Sequence, residues 1–424
     1  MNTDILIVGS GCAGLYCALN LPKDKQITII TKSDAESNDS YLAQGGMCML
    51  KAESDYQPFF EDTLKAGHYE NDKTSVEIMI RTSPEIVSDL LSYGAVFQRD
   101  QNGELAFTRE GAHSQKRIIY HEDVTGKEIT NTLLRKVREQ HNISIMEYTT
   151  LLDIIEKDNI CYGAVIQLAN GDIEVVQSDY TVLATGGIGG LYKHSTNYRH
   201  LTGDAQAIAI KHGIGLKDMD YVQIHPTTLY AEEGRSFLIS ESVRGEGAVL
   251  RNKAGERFVN ELLPRDLLTI EIWKQMEKDG TEFVWEDLRT IPEDELQEHF
   301  PNIIEHCKEM GYDVTKECIP VVPAQHYFMG GIRVDYHSKT SMEQLYAIGE
   351  TACNGVHGRN RLASNSLLES LVFAKRAAKD IANTYDSVTA VPEILINPST
   401  YDGYQEKYKE LVLAAIEKEK LSHE

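Results

Sequence analysis

Residues 4–31 read DILIVGSGCAGLYCALNLPKDKQITIIT. DILIV at 4–8 is a short apolar run rich in Ile and Val, the pattern of a strand buried on both faces of a parallel sheet. Glycines follow at 9, 11 and 14 as G-S-G-C-A-G, and LYCALNL then continues as a helix until Pro22 falls near its end. QITIIT at 26–31 is the next strand. Strand, glycine turn, helix and strand within about thirty residues is the context that makes G-x-G-x-x-G specific for a dinucleotide rather than an ordinary glycine turn. Gly9 permits the tight turn, Gly11 lets the backbone approach a pyrophosphate, and Gly14 lets the helix pack close to the strand. Ser10, Cys12 and Ala13 share this turn, where the helix N-terminus offers N–H groups and the positive end of its dipole. Cys12 reads as a small packed residue rather than a nucleophile. An acid at the end of the second strand would grip a ribose hydroxyl; here Thr31 stands in that place, followed by Lys32.

Working outward, residues 33–49 are polar and glycine-bearing and read as a loop leaving the nucleotide crevice. Residues 53–93 read as mostly helical, with apolar spacing of three and four over 62–68 and 75–92, and a further helix is expected over 128–140. ISIMEYTTLLDIIE, ICYGAVIQL, an Asn170-Gly171 hairpin turn and IEVVQSDYTVLATGG form a β-meander between 143 and 187. From 219 to 325, charged helices alternate with short turns and no strong parallel-strand run occurs, the pattern of a second, mobile domain. QLYAIG at 344–349 returns to strand, a long helix covers 365–380, and a polar amphipathic helix covers about 402–419. The expected fold class is α/β. A Rossmann-like FAD-binding domain with a β-meander insertion occupies 1–218 and 326–384, an α+β capping domain occupies 219–325, and a short helical tail fills 385–424. FAD is preferred over a smaller nucleotide because three more glycine- or amide-rich loops follow expected parallel strands: AQGG at 43–46, ATGG at 184–187 and IGE at 348–350.

The 424 residues hold 65 acidic against 42 basic side chains, a net charge of −23, which excludes a general nucleic-acid binder needing a basic face. No apolar run reaches the roughly 18–20 residues that span a bilayer, and the acid-bearing, early-glycine N-terminus is unlike a signal peptide. A cytoplasmic enzyme is therefore expected. The 7 cysteines are scattered with no C-x-x-C pair, so no metal site is expected and free thiols in a reducing compartment are.

Several polar clusters have the chemistry to bind an anion. QIHPTTL carries His225, SESVRGEG carries Ser240, Glu241 and Arg244, LPRDLL sets Arg265 among apolar residues, AQHYFMGG carries His326, and GVHGRNRLASNS carries His357, Arg359 and Arg361. Arginine grips carboxylates bidentately and histidine adds a directional donor. Taken singly, each reads better as a surface ion pair or a satisfied structural histidine. Converging, they would build a pocket for a small dicarboxylate.

VGSGCAGL, SNDSYLAQGGM, LATGGIGGLY, TGDAQAIA, QIHPTTL, RGEGAVL, PRDLL, PAQHYFMGGI and GETACNGVHGRNRLASNSLLESLVFA occur in this order over roughly residues 1–380. Together they resemble the succinate dehydrogenase and fumarate reductase flavoprotein family. FTREGAHSQKRIIY resembles its L-aspartate-oxidising branch, with Glu110 where the substrate amine is met. Respiratory members carry a histidine before the AQGG loop that bonds FAD covalently; Asp39 stands there, so the resemblance implies non-covalent FAD. It further implies FAD contacts from Gly9, Ser10, Gly11, Cys12, Ala13, Gly14, Lys32, Asp39, Ser40, Ala43, Gln44, Gly45, Gly46, Asp204, Glu350, Ser366 and Leu367. His225, Ser240, Glu241, His326 and Arg361 resemble the substrate ligands. Arg244 and Glu110 resemble the groups that orient aspartate, and Arg265 resembles the arginine that moves a proton. The implied activity is oxidation of L-aspartate to iminoaspartate by hydride transfer to flavin N5, with oxygen or fumarate reoxidising the flavin. Quinolinate synthase is the implied consumer on the route to NAD. The alternative is a soluble fumarate reductase or succinate dehydrogenase-type flavoprotein. The short tail departs from the longer helical C-terminus common in that branch.

Overall fold

In the computed structural model, which describes residues 1–386 and 397–423, the strand Asn2–Val8 lies inside a seven-stranded sheet. It pairs in parallel with Ile27–Ile30 on one side and Ile173–Leu183 on the other, and Ile143–Met146 extends the parallel set beyond Ile27–Ile30. The chain crosses from one side of Asn2–Val8 to the other here, the topological switch at which open α/β sheets bind ligands beyond the carboxyl ends of their strands. The eleven-residue Ile173–Leu183 strand serves two neighbours. Its first half pairs antiparallel with Ile160–Gln167, and its second half pairs in parallel with Leu345–Ala347.

Periodicity alone runs 143–156 into one meander strand, and the structure corrects this. Tyr148 takes φ +53° and turns the chain, so Ile143–Met146 joins the parallel set while Thr150–Lys157 begins the meander. Apolar alternation continues through that turn, which is why it carries no local signal. Residues 33–49 are likewise not all loop. Asn38 caps a helical turn, Asp39–Leu42, by accepting from the Tyr41 N–H, and Met47–Cys48 pairs with Ile118–Ile119.

Helices Cys12–Asn20, Lys73–Tyr93, Thr125–Arg138 and Ser366–Thr384 share one hydrophobic core. Lys73–Tyr93 buries Val76, Met79, Ile80, Ser83, Ile86, Val87 and Leu90 at three- and four-residue spacing, each large aliphatic side chain contributing roughly 1.5–3 kcal/mol. Pro84 lies within this helix and has no N–H for the Ile80 carbonyl. The Ser83 hydroxyl donates to that carbonyl instead, at 2.7 Å.

The second sheet has five strands in the order Phe237–Leu238, Val222–Leu229, Ile319–Phe328, Val284–Asp287, Val249–Arg251. A pattern of charged helices and turns therefore describes this region incompletely. Val222–Leu229 reads as polar because its inward face is itself polar. Two compact units result: Met1–Ile188 with His200–Tyr221 and Phe328–Glu424, and Gly189–Arg199 with Val222–Tyr327. Residues 189–199 thus depart from 1–218. Their bonds explain it: the Ser195 hydroxyl donates to Gln325 Oε1 at 2.6 Å and the Thr196 N–H to the Gln325 carbonyl at 2.9 Å.

Of the expected tail, 387–396 lie outside the described residues. The helix Tyr404–His423 groups with the first unit, where Tyr408 donates to the Leu152 carbonyl and Tyr401 and Tyr404 pack on Leu152, Ile155 and Val165. Among the described residues no helix is long and apolar enough to cross a membrane, and no cluster of His, Cys, Asp and Glu could hold a metal ion.

Candidate active site

In the first unit the glycine turn is set by close contacts. Gly9 has φ +118°, and a Cβ there would lie 2.0 Å from the Ala184 carbonyl oxygen. A Cβ at Gly14 would lie 2.1 Å from the Gly9 oxygen. Gly11 differs: its Cβ would meet only Ser40 Oγ, at 3.2 Å, so the turn is not packed shut above it. A pyrophosphate needs that clearance at the start of the Cys12–Asn20 helix, so the turn fits FAD. Thr31, in the place of the missing acid, accepts from the buried Ser10 hydroxyl at 3.1 Å, and the same hydroxyl lies 3.0 Å from the Ala35 carbonyl. Cys12 is buried, its thiol pushed up to about 11 by burial, and Ser40 Oγ bonds both its N–H and its sulfur. It is a packed residue, not a nucleophile. Ala13 packs beneath Gly349.

Lys32 and Asp204 meet each other, with Nζ 2.8 Å from Asp204 Oδ2, and Lys32 also donates to the His200 carbonyl and to Thr202. Glu350 accepts from the Phe328 N–H at 2.8 Å. Burial, then the charge of Asp39, pushes its carboxyl up to about 8. Gly187 faces Glu350: a Cβ at that position would lie 2.4 Å from Glu350 Oε1. A carboxyl held near neutrality can donate or accept, which suits a ribose hydroxyl.

The AQGG loop is placed by its neighbours. The Ala43 carbonyl accepts from the Gly126 N–H at 2.9 Å, and a Cβ at Gly46 would collide with Ile118 and Ile119 at 2.2 Å. Gln44 lies half-buried between them in sequence. Gly45 faces Glu110, whose Oε1 would be 2.6 Å from a Cβ there. Glu110 Oε2 accepts from the Ser364 hydroxyl at 2.7 Å. Ser364 leads into the Ser366–Thr384 helix, where Leu367 is buried and Ser366 Oγ accepts from Arg361 Nη1 at 3.2 Å. Arg361 is itself buried, and burial followed by the Arg361 charge pushes His357 down to about 3. His357 is therefore neutral at any physiological pH.

In the second unit the strand Val222–Leu229 places Gln223, His225 and Thr227 on one face by its period of two. Gln223 accepts from Arg265 Nη1 at 3.5 Å, a long contact. The His225 ring bonds the Ile239 carbonyl through Nε2 at 2.8 Å and lies edge-on to His326, 5.8 Å between centroids. His326 Nδ1 in turn meets the Thr196 hydroxyl at 2.8 Å. Thr227 Oγ1 accepts from Arg244 Nε at 3.4 Å. Arg244 Nη1 donates to the Glu261 carbonyl at 2.7 Å, whereas Nη2 is buried with no hydrogen-bond partner among the described residues. A buried N–H without an acceptor is costly, so Nη2 marks a position for an anionic oxygen. Ser240 caps the short Glu241–Gly245 helix, accepting from the Ser242 N–H, and Glu241 accepts from Arg265 Nε at 2.6 Å.

The structure thus brings Glu110 and Gly45 together in the first unit. It brings His225, His326, Glu241, Arg244 and Arg265 together in the second. Gln223, Thr227, Thr196 and Ser364 belong to these arrangements and carry no sequence signal of their own, since a single hydroxyl or amide is common everywhere.

The FAD binding domain family matches residues 4–367. L-aspartate oxidase of Clostridium perfringens is 50% identical over 392 residues, 92% of this chain and 89% of its own length. The Clostridium acetobutylicum L-aspartate oxidase is 49% identical over 383 residues, 90% and 88% of the two chains. Among solved structures, a quinol–fumarate reductase with menaquinol molecules superposes with a TM-score of 0.85 at 30% identity, covering 96% of this chain and 75% of that one. The open conformation of a flavocytochrome c3 fumarate reductase gives 0.74 at 25%, over 90% and 78%. The nucleotide turn, the paired cations and these likenesses lead to one conclusion: the chain belongs to the FAD-dependent L-aspartate oxidase family, within the succinate dehydrogenase and fumarate reductase flavoproteins.

Proposed function

We propose that the chain oxidises L-aspartate to iminoaspartate. The observation that carries this reading is the cation cluster of the second unit, where Arg244, its buried Nη2 without a hydrogen-bond partner among the described residues, stands with Arg265, His225 and His326. L-Aspartate offers such cations two carboxylates, and its amine is the group that a carboxylate such as Glu110 would meet. In this reading Arg361, Arg244, His225, His326 and Ser240 hold the carboxylates, Glu110 orients the amine by charge, and Glu241 holds Arg265. FAD supplies the two-electron acceptor when bound, through the glycine turn, Lys32, the 39–46 loop, Asp204, Glu350, Ser366 and Leu367. Oxygen or fumarate then takes the electrons. The imine product hydrolyses readily, so a consuming enzyme is needed, and quinolinate synthase in the cytoplasm fits that demand. The fold likeness to fumarate reductases supports competence with fumarate as well.

Anaerobic L-aspartate should bleach the flavin absorbance of the purified protein, and succinate should bleach it far less; equal bleaching by the two would overturn the aspartate assignment. Acid precipitation should leave the yellow colour in the supernatant, because Asp39 stands where a histidine would bond FAD. Flavin retained in the pellet would overturn the non-covalent assignment.

A further inference from the structure

We propose that Ser364 is a positioning residue for aspartate oxidation, holding Glu110 in the orientation that meets the substrate amine. Its hydroxyl donates to Glu110 Oε2 at 2.7 Å across 254 residues of chain. Ser364 has φ +62°, a left-handed conformation that side-chain-bearing residues rarely adopt, and it is nearly buried. Its surroundings impose that backbone. The Cys48 N–H donates to the Ser364 carbonyl at 3.0 Å. The preceding Ala363 carbonyl accepts from His113 Nε2 at 3.0 Å.

The direction of that last bond follows from chemistry. Arg117 can only donate, and its Nη1 lies 2.9 Å from His113 Nδ1. Nδ1 is therefore the acceptor, and Nε2 carries the proton given to Ala363. Burial pushes His113 down to about 4, so it stays in this neutral tautomer. Arg117 is fully buried and fixed by Asp55 at 3.1 Å and Asp62 at 2.7 Å. The segment carrying Glu110 and the segment carrying Ser364 are thus tied together, and the hydroxyl is presented from a backbone hydrogen-bonded on both sides. Gly45 completes the fit, since a Cβ there would lie 2.6 Å from Glu110 Oε1 and displace it. Only the amine-bearing substrate depends on this orientation; fumarate has no amine.

The inference rests on the reading that Glu110 meets the amine, and the test separates the two. Ser364→Ala and Ser364→Gly both delete the hydroxyl, while Gly relaxes the left-handed backbone and keeps the protein foldable. Both should lose about tenfold in kcat/KM for L-aspartate, the size of one hydrogen bond to a charged group, with a far smaller change in fumarate reduction. In a Glu110→Gln background, Ser364→Ala should add no further loss. Recovery of aspartate turnover in the Gly variant, parallel losses on both substrates, or additive losses in the double variant would each overturn it. If Glu110→Gln alone separates aspartate from fumarate and the Ser364 variants do not, only this inference falls. If Glu110→Gln fails to separate them, the reading of Glu110 falls with it.

Discussion

Arg361→Leu is expected to abolish dicarboxylate turnover while the purified protein stays yellow. Arg361 is 7% exposed, and its Nη1 donates to Ser366 Oγ at 3.2 Å, a neutral partner. A buried guanidinium presents a planar fork of donors that matches the two oxygens of a ligand carboxylate. Leucine keeps most of the apolar bulk and removes the fork. Losing one side of a buried, hydrogen-bonded charge pair costs about 3–5 kcal/mol, so kcat/KM for L-aspartate should fall by about 10²–10⁴-fold. The flavin should remain, because the contacts that shape Gly9, Gly11 and Gly14 come from Ala184, Ser40 and the turn itself. Arg361→Lys should recover little, since an ammonium keeps the charge without the bidentate geometry. Steady-state rates beside flavin absorbance per mole of protein check this, and a fully active Leu variant would remove Arg361 from the substrate set.

How far such a site is legible depends on the range of the interactions that build it. The nucleotide turn is legible because every element of it lies within 4–31, and strand, glycines and helix each have a local signature. Ile143–Met146 is not, since its place beside Ile27–Ile30 is decided by a left-handed Tyr148 that no periodicity marks. The sheet of the second unit is obscured for a related reason. Gln223, His225 and Thr227 point inward from Val222–Leu229, so an alternation that normally separates apolar from polar here separates one polar set from its neighbours. Glu110 and Arg361 are quotable from the sequence only as members of a resembling motif. What fixes Glu110 is a serine 254 residues away, and what fixes that serine is a buried Arg117 whose partners, Asp55 and Asp62, lie in another segment again. Single residues of ordinary type, joined at long range, leave no pattern to read.

Arg265→Gln should remove fumarate reduction by about 10²–10⁴-fold, the range of a lost general acid, and should affect anaerobic flavin reduction by L-aspartate less. A guanidinium stays protonated in water, so it is poorly suited to take a proton from the aspartate ammonium and well suited to deliver one to a carbon that has just received a hydride. The local structure favours that direction. Arg265 opens the Arg265–Asp279 helix, and Glu241 grips its Nε at 2.6 Å. Glu241 in turn opens the short helix that carries Arg244, with both arginines set against side chains of Val222–Leu229. After that donation the Glu241 carboxylate can take up a proton from solvent and pass it to the neutral Arg265, which restores both groups for the next turnover. Glu241→Gln keeps the hydrogen bond and removes that capacity, so it should slow fumarate reduction too, by less than the loss of the arginine. Arg265→Lys retains an acidic N–H and should fall between Gln and the wild type. Unchanged fumarate reduction in Arg265→Gln would exclude the side chain as the proton donor. Equal losses in the two half-reactions would instead assign it to substrate binding, because a contact made alike to aspartate and fumarate cannot distinguish the direction in which the proton moves.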